Sequence, residues 1–279
     1  PTHPNLVDPG TLAAIPRPQD LLFDNGLGGF SADGREYVIY LEPGQHTPAP
    51  WVNVIANPRF GFLVSEAGLG FSWAGNSGEN RLTPWDNDQV RDVPREAIYL
   101  RDEETAWVWS PTPSPTGGDS TYLVRHGTGY SIFEHHRHGL KHRLRVFADR
   151  QAPVKVLHLR LENTWNRTRR ITVTYYAEWV LGVHRDQSQQ YVVPEYDAGR
   201  KALLARNAYH EEFGEAVAFL AASEGLHGLT ADRTEFLGRR GSYEHPAALE
   251  RVGLGSGLCA GLDPCAAVQV HLNLEPGAV

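Results

Sequence analysis

Between Phe71 and Pro113 lie four of the chain's seven tryptophans, set among short polar side chains. Trp73 and Trp85 bracket Asn76, Ser77, Glu79, Asn80 and Arg81, and Asn87 and Asp88 follow at once. Amide, carboxylate and guanidinium groups give directional hydrogen bonds to hydroxyls, while flat indole rings cover the apolar face of a pyranose. The chemistry such a loop suits is sugar binding, and Trp73, Asn76, Glu79, Arg81, Trp85, Asn87 and Asp88 are its candidate substrate-binding residues. Arg81 offers a planar fork of donors, for which Glu79 or Asp88 is the natural partner. Trp85 follows Pro84, which restrains the chain ahead of it and extends Thr83. A plainer reading stands beside this one: Trp73 and Trp85 belong to the core, and the polar residues form a network that holds a long loop.

Acid–base chemistry on a glycosidic bond needs two carboxyl groups flanking it. Glu79, Asp86 and Asp88 supply carboxylates in the loop, but no spacing makes any two of them converge, and no catalytic residue is assigned. His135, His136, His138 and His142 raise a metal reading, because His136 and His138 would share one face of a strand. No carboxylate or further ligand is fixed beside them, so the expectation is a wet strand face without metal. Gly255-x-Gly257-x-x-Ala260 lacks the flanking strand and helix that make a dinucleotide loop work. Asn166-Arg167-Thr168 matches a glycosylation acceptor and reads more simply as a turn. Cys259 and Cys265, the two cysteines, make neither a disulfide framework nor a zinc site. No cofactor is implied.

Strands must position these groups. Residues 1–20 are proline-rich (Pro1, Pro4, Pro9, Pro16, Pro18) and read as an arm or linker. Turn dipeptides Asn25-Gly26, Gly28-Gly29 and Asp33-Gly34 precede a short strand over Tyr37–Leu41. Further strands are expected over 51–56, 60–65 and 69–73. A hairpin carries Ala97 and Tyr99 on one arm, Trp107 and Trp109 on the other, and turns through 102–105. A meander over 121–125, 130–136 and 140–147 follows. The longest hairpin is expected to join 154–161 to 171–181 through Asn-Thr-Trp-Asn-Arg-Thr, since His158 and Arg160 alternate with leucines. Short strands at 191–193, 202–205, 216–222, 228–230 and 268–274 complete the set, and only 246–251 looks mildly helical. Some fifteen close-spaced strands with Gly and Pro turns give an all-β fold, a large antiparallel β-sandwich over residues 21–279.

A net charge of −7 without a basic run argues against a nucleic-acid partner. No apolar stretch is long enough to span a membrane, and PTHPNLVDPG has neither the cationic head nor the apolar core of a signal peptide, so a cytoplasmic location is expected. The absence of methionine from 279 residues suggests a piece of a longer protein.

The runs TPAPWVNVIANPRFGFLVSE, GFSWAGNSGENRLTPWDND, AIYLRDEETAWVWSPTP, YAEWVLGV, DRTEFLGR and AGLDPCAA occur in that order. Through them the chain from Leu22 onward resembles the N-terminal β-sandwich domain of glycoside hydrolase family 94, and within it the phosphorylase-like half of cyclic β-1,2-glucan synthases. The resemblance implies a supersandwich of galactose-mutarotase-like shape that packs on an (α/α)6 barrel and takes part in homodimer contacts. In that barrel an aspartic acid protonates the glycosidic oxygen while inorganic phosphate, the co-substrate, attacks the anomeric carbon with inversion. It implies a β-glucan oligosaccharide as ligand, with loops of the sandwich near the substrate entrance. The chain stops at NLEPGAV, ahead of an expected last strand, linker and barrel, so the family's catalytic aspartate has no counterpart and the 279 residues alone are expected to be inactive. A free-standing carbohydrate-binding module and an autonomous sugar-active enzyme of similar shape are the other readings.

Overall fold

The computed structural model describes residues 13–88, 90–118 and 120–279. Strands form where β-branched and aromatic residues alternate, and turns where Gly, Asn, Asp or Pro interrupts them. β1 (Gly28–Phe30) and β2 (Glu36–Leu41) come first, then a meander of β3 (Val52–Asn57), β4 (Phe60–Ser65) and β5 (Phe71–Ala74). β6 (Glu96–Asp102) and β7 (Val108–Trp109) form the expected hairpin, in which Asp102 Oδ1 accepts from the amides of Glu104 and Thr105 at 2.8 and 3.1 Å. Next come β8 (Tyr122–Gly127), β9 (Tyr130–Arg137), β10 (Leu140–Ala148), β11 (Lys155–Asn163) and β12 (Arg169–Glu178). The short helix α1 (Arg185–Ser188) leads to β13 (Val192–Asp197), β14 (Ala202–Asn207) and β15 (Ala218–Ala221). β16 (Leu226–Asp232), helix α2 (Arg233–Leu237) and β17 (Pro264–Leu274) close the sequence, with 3-10 turns at Gln189–Tyr191 and Ala247–Glu250.

All pairings are antiparallel, and the fold is all-β as expected. A six-stranded sheet runs β1-β2-β8-β9-β10-β11 and a five-stranded sheet β16-β17-β12-β6-β7. Two three-stranded sheets, β3-β4-β5 and β13-β14-β15, pack against them. Alternation along each strand sends successive side chains into different cores. Ile39 joins Phe62, Val64 and Phe133 between the six-stranded sheet and β3-β4-β5, while its neighbour Val38 packs with Tyr40, Leu123 and Ile15 on the other face. Residues 1–12 of the expected arm lie outside the described residues, and Ile15 within its remainder is buried. Ile98 faces the first core. Tyr99 faces Tyr176, Phe236 and Leu249, where α2 and the 3-10 turn after it cover the five-stranded sheet.

The expected hairpin between 154–161 and 171–181 is not one. β11 pairs with β10, whereas β12 pairs with β6 and β17 in the other sheet. The connecting residues turn a corner because Asn163 Nδ2 donates to the carbonyls of Arg167 and Leu274 at 2.8 and 2.9 Å, and Trp165 is buried beneath Arg169, 3.8 Å from its guanidinium carbon. Arg169 and Asp102, both without solvent contact, form an ion pair behind that corner.

The histidine cluster is also drier than expected. His138 sits in a two-residue turn with Gly139, at φ 48° and 71°, so it does not share a strand face with His136. His135 and His142 are buried, stacked 5.3 Å apart, with Tyr122 a further 3.9 Å from His135. Trp109 donates its indole N–H to His142 Nε2 at 2.9 Å. That fixes Nδ1 as the protonated nitrogen, donating to the His135 carbonyl at 2.9 Å. Burial pushes the pKa of both rings down, His135 to about 3. Their role is core packing.

Where β11 faces β13-β14-β15 the layers splay, leaving a trough of about 1650 Å3. Leu157 and Leu159 of β11 form one wall and Phe219 of β15 the other, over a floor of Val173, Tyr175 and Val268.

Candidate functional site

The aromatic loop spans the connection from β5 to β6, and backbone bonds fix most of its course. Ala74 N–H donates to Asn80 O at 3.1 Å and Leu82 N–H to Ser72 O at 2.8 Å, so residues 80–82 lie along β5. On the far side Arg81 and Gly182 exchange amide bonds at 3.1 Å each, and Val180 N–H donates to Leu82 O at 2.9 Å. The segment thus lies between β5 and the run that follows β12. Asn80 and Thr83 are buried within it. Asn76 folds the turn ahead of it, its Oδ1 accepting from Gly78 and Glu79 amides at 2.8 and 3.0 Å.

Thr83 also roots the loop in a buried polar cluster. Its hydroxyl accepts from the Ser72 amide at 2.8 Å and donates to Glu96 Oε1 at 2.9 Å, alongside the Ser72 hydroxyl at 2.6 Å. Glu96 Oε2 takes bonds from Lys155 Nζ at 2.6 Å and the Tyr175 hydroxyl at 2.8 Å. Burial pushes the Lys155 pKa down while Glu96 acts against that shift. Four donors saturate this carboxylate at the wall of the trough and make it an anchor for the loop.

Above this root stands an aromatic row. Phe71 lies 5.3 Å from Trp73 and is stacked on Trp85 at 5.1 Å with an angle of 7° between the rings. Trp73 is half-buried across Gly61, where a Cβ would fall 2.3 Å from the indole, so only glycine leaves room for the ring. Trp85 is 42% exposed, with the Arg81 guanidinium over its ring. The two tryptophans thus differ: Trp73 packs, and Trp85 is partly exposed.

Arg81 departs from expectation. Neither Glu79 nor Asp88 bonds it. Its Nε donates to Ser77 O at 3.1 Å, one terminal nitrogen reaches Val183 O at 3.4 Å, and its guanidinium carbon stands 6.0 Å from the Trp85 ring. The carbonyls win because the loop's backbone curls round the guanidinium, while Asp88 is engaged in its own turn. Asp88 Oδ1 accepts from Val90 and Arg91 amides at 3.0 and 3.1 Å. Glu79 and Asn87 are exposed, Asn87 with φ 49°. Asp86 is paired with Arg95, and Arg95 joins Tyr243 and Glu178, a buried carboxylate also held by Arg185 and Arg233. The three loop carboxylates thus go separate ways. Trp73, Trp85 and Arg81 come together; Asn76 and Glu79 form one turn, and Asn87 and Asp88 another.

Sequence reasoning missed the second loop, 208–217, that adjoins the first. His210 Nε2 lies 3.1 Å from Glu79 O, and Tyr209, 74% exposed, is stacked on Tyr191 at 4.3 Å. Nothing in local spacing announces a contact across that much chain. Helix α2 did carry a legible signal: Asp232 precedes Glu235, and its carboxylate accepts from the Thr234 and Glu235 amides at 2.8 and 3.2 Å.

No helix among the described residues is long and apolar enough to cross a membrane. The chain is 40% identical over 260 residues to a cyclic beta-(1,2)-glucan synthase NdvB of Rhizobium meliloti (strain 1021), which covers 92% of this chain and 9% of that protein. It is 26% identical over 258 residues to an N,N'-diacetylchitobiose phosphorylase of Vibrio proteolyticus, covering 90% and 32%. Against a solabiose phosphorylase of Paenibacillus borealis the figures are 29%, 90% and 33%. The chain therefore spans a third or less of the length of these curated relatives. Residues 35–279 match the glycosyl hydrolase 94 supersandwich domain, and the chain belongs to that family.

Proposed function

We propose that this chain is the non-catalytic sandwich module of a larger, cytoplasmic β-1,2-glucan-active phosphorylase or cyclic β-1,2-glucan synthase. In this reading it packs on an (α/α)6 barrel of the same polypeptide, which uses inorganic phosphate, and its aromatic loop borders the substrate entrance. Trp85 carries the reading: an indole held parallel on Phe71 and 42% exposed is a rigid platform for a sugar ring. Forty per cent identity to a glucan synthase supports the glycan. Saturation of Glu96 by four donors and the pairing of Asp86 and Glu178 with arginines support a non-catalytic role.

The test uses the full polypeptide. Trp85→Ala is expected to weaken β-1,2-glucooligosaccharide binding about three- to tenfold, the equivalent of one stacking contact, at a melting temperature within about 2 °C of the parent. Arg81→Ala is expected to lower melting temperature and affinity together, because its side chain ties the Ser77 carbonyl of the loop to the Val183 carbonyl of the run after β12. Unchanged affinity in Trp85→Ala, or a loss that only follows unfolding, refutes the platform.

A further inference from the structure

The trough has one wall with an unused hydrogen-bonding edge. β11 is the last strand of the six-stranded sheet and pairs only with β10. Asn163, at its end, already has partners on the outer side: its N–H donates to Ala278 O at 3.0 Å, and its carbonyl accepts from Gly277 N–H at 3.0 Å. Gly277 has φ 72°, and Ala278 N–H closes a turn onto Glu275 O at 2.9 Å. Two residues opposite one, the first a left-handed glycine, is a bulge that turns the chain after β17 back onto β11. Val279 lies at the trough.

In an antiparallel ladder the backbone groups of alternate residues point to the same side. Since Asn163 points outward, so do the N–H and C=O of Leu161, Leu159 and Leu157, which β10 does not use. Their side chains line the trough and are buried or half-buried, whereas His158 and Arg160, which border it too, are exposed. Phe219 and Val217 on the opposite wall are about half exposed, at 52% and 55%. An edge of this length, over an apolar floor, is a seat for one more strand.

We propose that the polypeptide following Val279 runs antiparallel along β11 from Glu162 toward Lys155, fills the trough between β11 and β15, and carries apolar residues where it faces Leu159 and Leu157. The direction comes from the Gly277 and Ala278 bonds. That further polypeptide exists rests on the module reading above, which the relatives' lengths support.

Hydrogen exchange tests this on two proteins, the 279-residue chain and the same chain extended through about a dozen further residues of its reading frame. The amides of Leu157, Leu159 and Leu161 are expected to gain protection of a hundredfold or more in the longer protein. Those of Val156, His158 and Arg160, already bonded to β10, are expected to change little. Gly277→Val in the longer protein is expected to reverse the gain. A Cβ there meets nothing within 4 Å, so the substitution acts through the left-handed backbone alone. Aspartate in place of the two residues facing Leu159 and Leu157 is the second variant, expected to lose protection without relying on the turn. Unprotected outer amides in the extended chain overturn the proposal, as does a reading frame that ends at Val279. Protection in the 279-residue chain that rises with concentration alongside a dimer also overturns it, because the occupant is then a second copy. Protected amides in a full polypeptide that binds no β-1,2-glucan would leave this inference standing and refute the functional reading.

Discussion

β11 and β12 follow each other in sequence, with nine and ten residues, and both alternate apolar with polar side chains. One is an edge, the other a centre bonded on both sides by β6 and β17. Their polar residues tell them apart. β11 carries His158 and Arg160, exposed; β12 carries Thr172 and Thr174, each about 1% exposed. Polar and charged groups stand on the solvated outer face of β11, whereas threonine is small and β-branched enough for a strand covered on both faces. Alternation therefore announces a strand, and the type of its polar members announces its neighbours.

The sharpest way to break this contrast is at β12's first residue. Arg169→Ala leaves Asp102 charged and buried without its partner, an expected loss of about 3–5 kcal/mol in urea unfolding. A loss under about 1 kcal/mol would mean that water reaches the pair. Next in size is a matched pair of truncations. Ile171→Ala, in the closed centre, is expected to cost about 2–5 kcal/mol. Leu159→Ala, on the open edge, is expected to cost about 1 kcal/mol in the 279-residue chain and more once the trough is filled. Equal costs in the short chain would deny that the edge is open.

A smaller effect depends on pH, and the buried histidines of the six-stranded sheet carry it. The six-stranded sheet holds neutral His126, His135 and His142, whose pKa values burial pushes down, His126 to about 4 and His135 to about 3. Unfolded, each takes up a proton near its ordinary 6.5. Below that pH the unfolded state binds more protons, so stability falls as pH drops toward the folded values, by up to about 1.4 kcal/mol per pH unit per ring. Glu66 and Asp92, whose pKa values burial raises, act in the opposite sense, but only where carboxyls titrate. Urea midpoints at pH 7.5, 6 and 5 check this: they are expected to decline in order, and equal midpoints would place water around the rings.

Most strands and their turns were legible, because Asn57-Pro58, Thr128-Gly129 and His138-Gly139 interrupt clear alternation. Partnership was less so. The corner after Asn163 looked like a hairpin because six polar and aromatic residues disguise a change of sheet; only the side-chain bonds of Asn163 and the burial of Trp165 reveal it. In the aromatic loop, residue types gave the wrong bonds for Arg81. Arg81 found carbonyls rather than carboxylates, since backbone groups fixed by the Gly182 bonds are nearer than any exposed side chain. The approach of His210 to Glu79 depends on where two distant loops leave their sheets, which no local pattern encodes.

The placement of β12 between β6 and β17 also sets a schedule. β12 can pair with β6 soon after synthesis, but its other partner begins at Pro264, and the outer side of Asn163 waits for Gly277. About a hundred residues separate these partners, so at ~5–20 residues per second the nascent chain carries two unsatisfied strand edges for on the order of ten seconds. Over that interval Val173 and Tyr175 lack the neighbouring strand β17 that completes their floor, which makes the stretch from β12 to β17 the period in which a chaperone holding the nascent chain has most to protect.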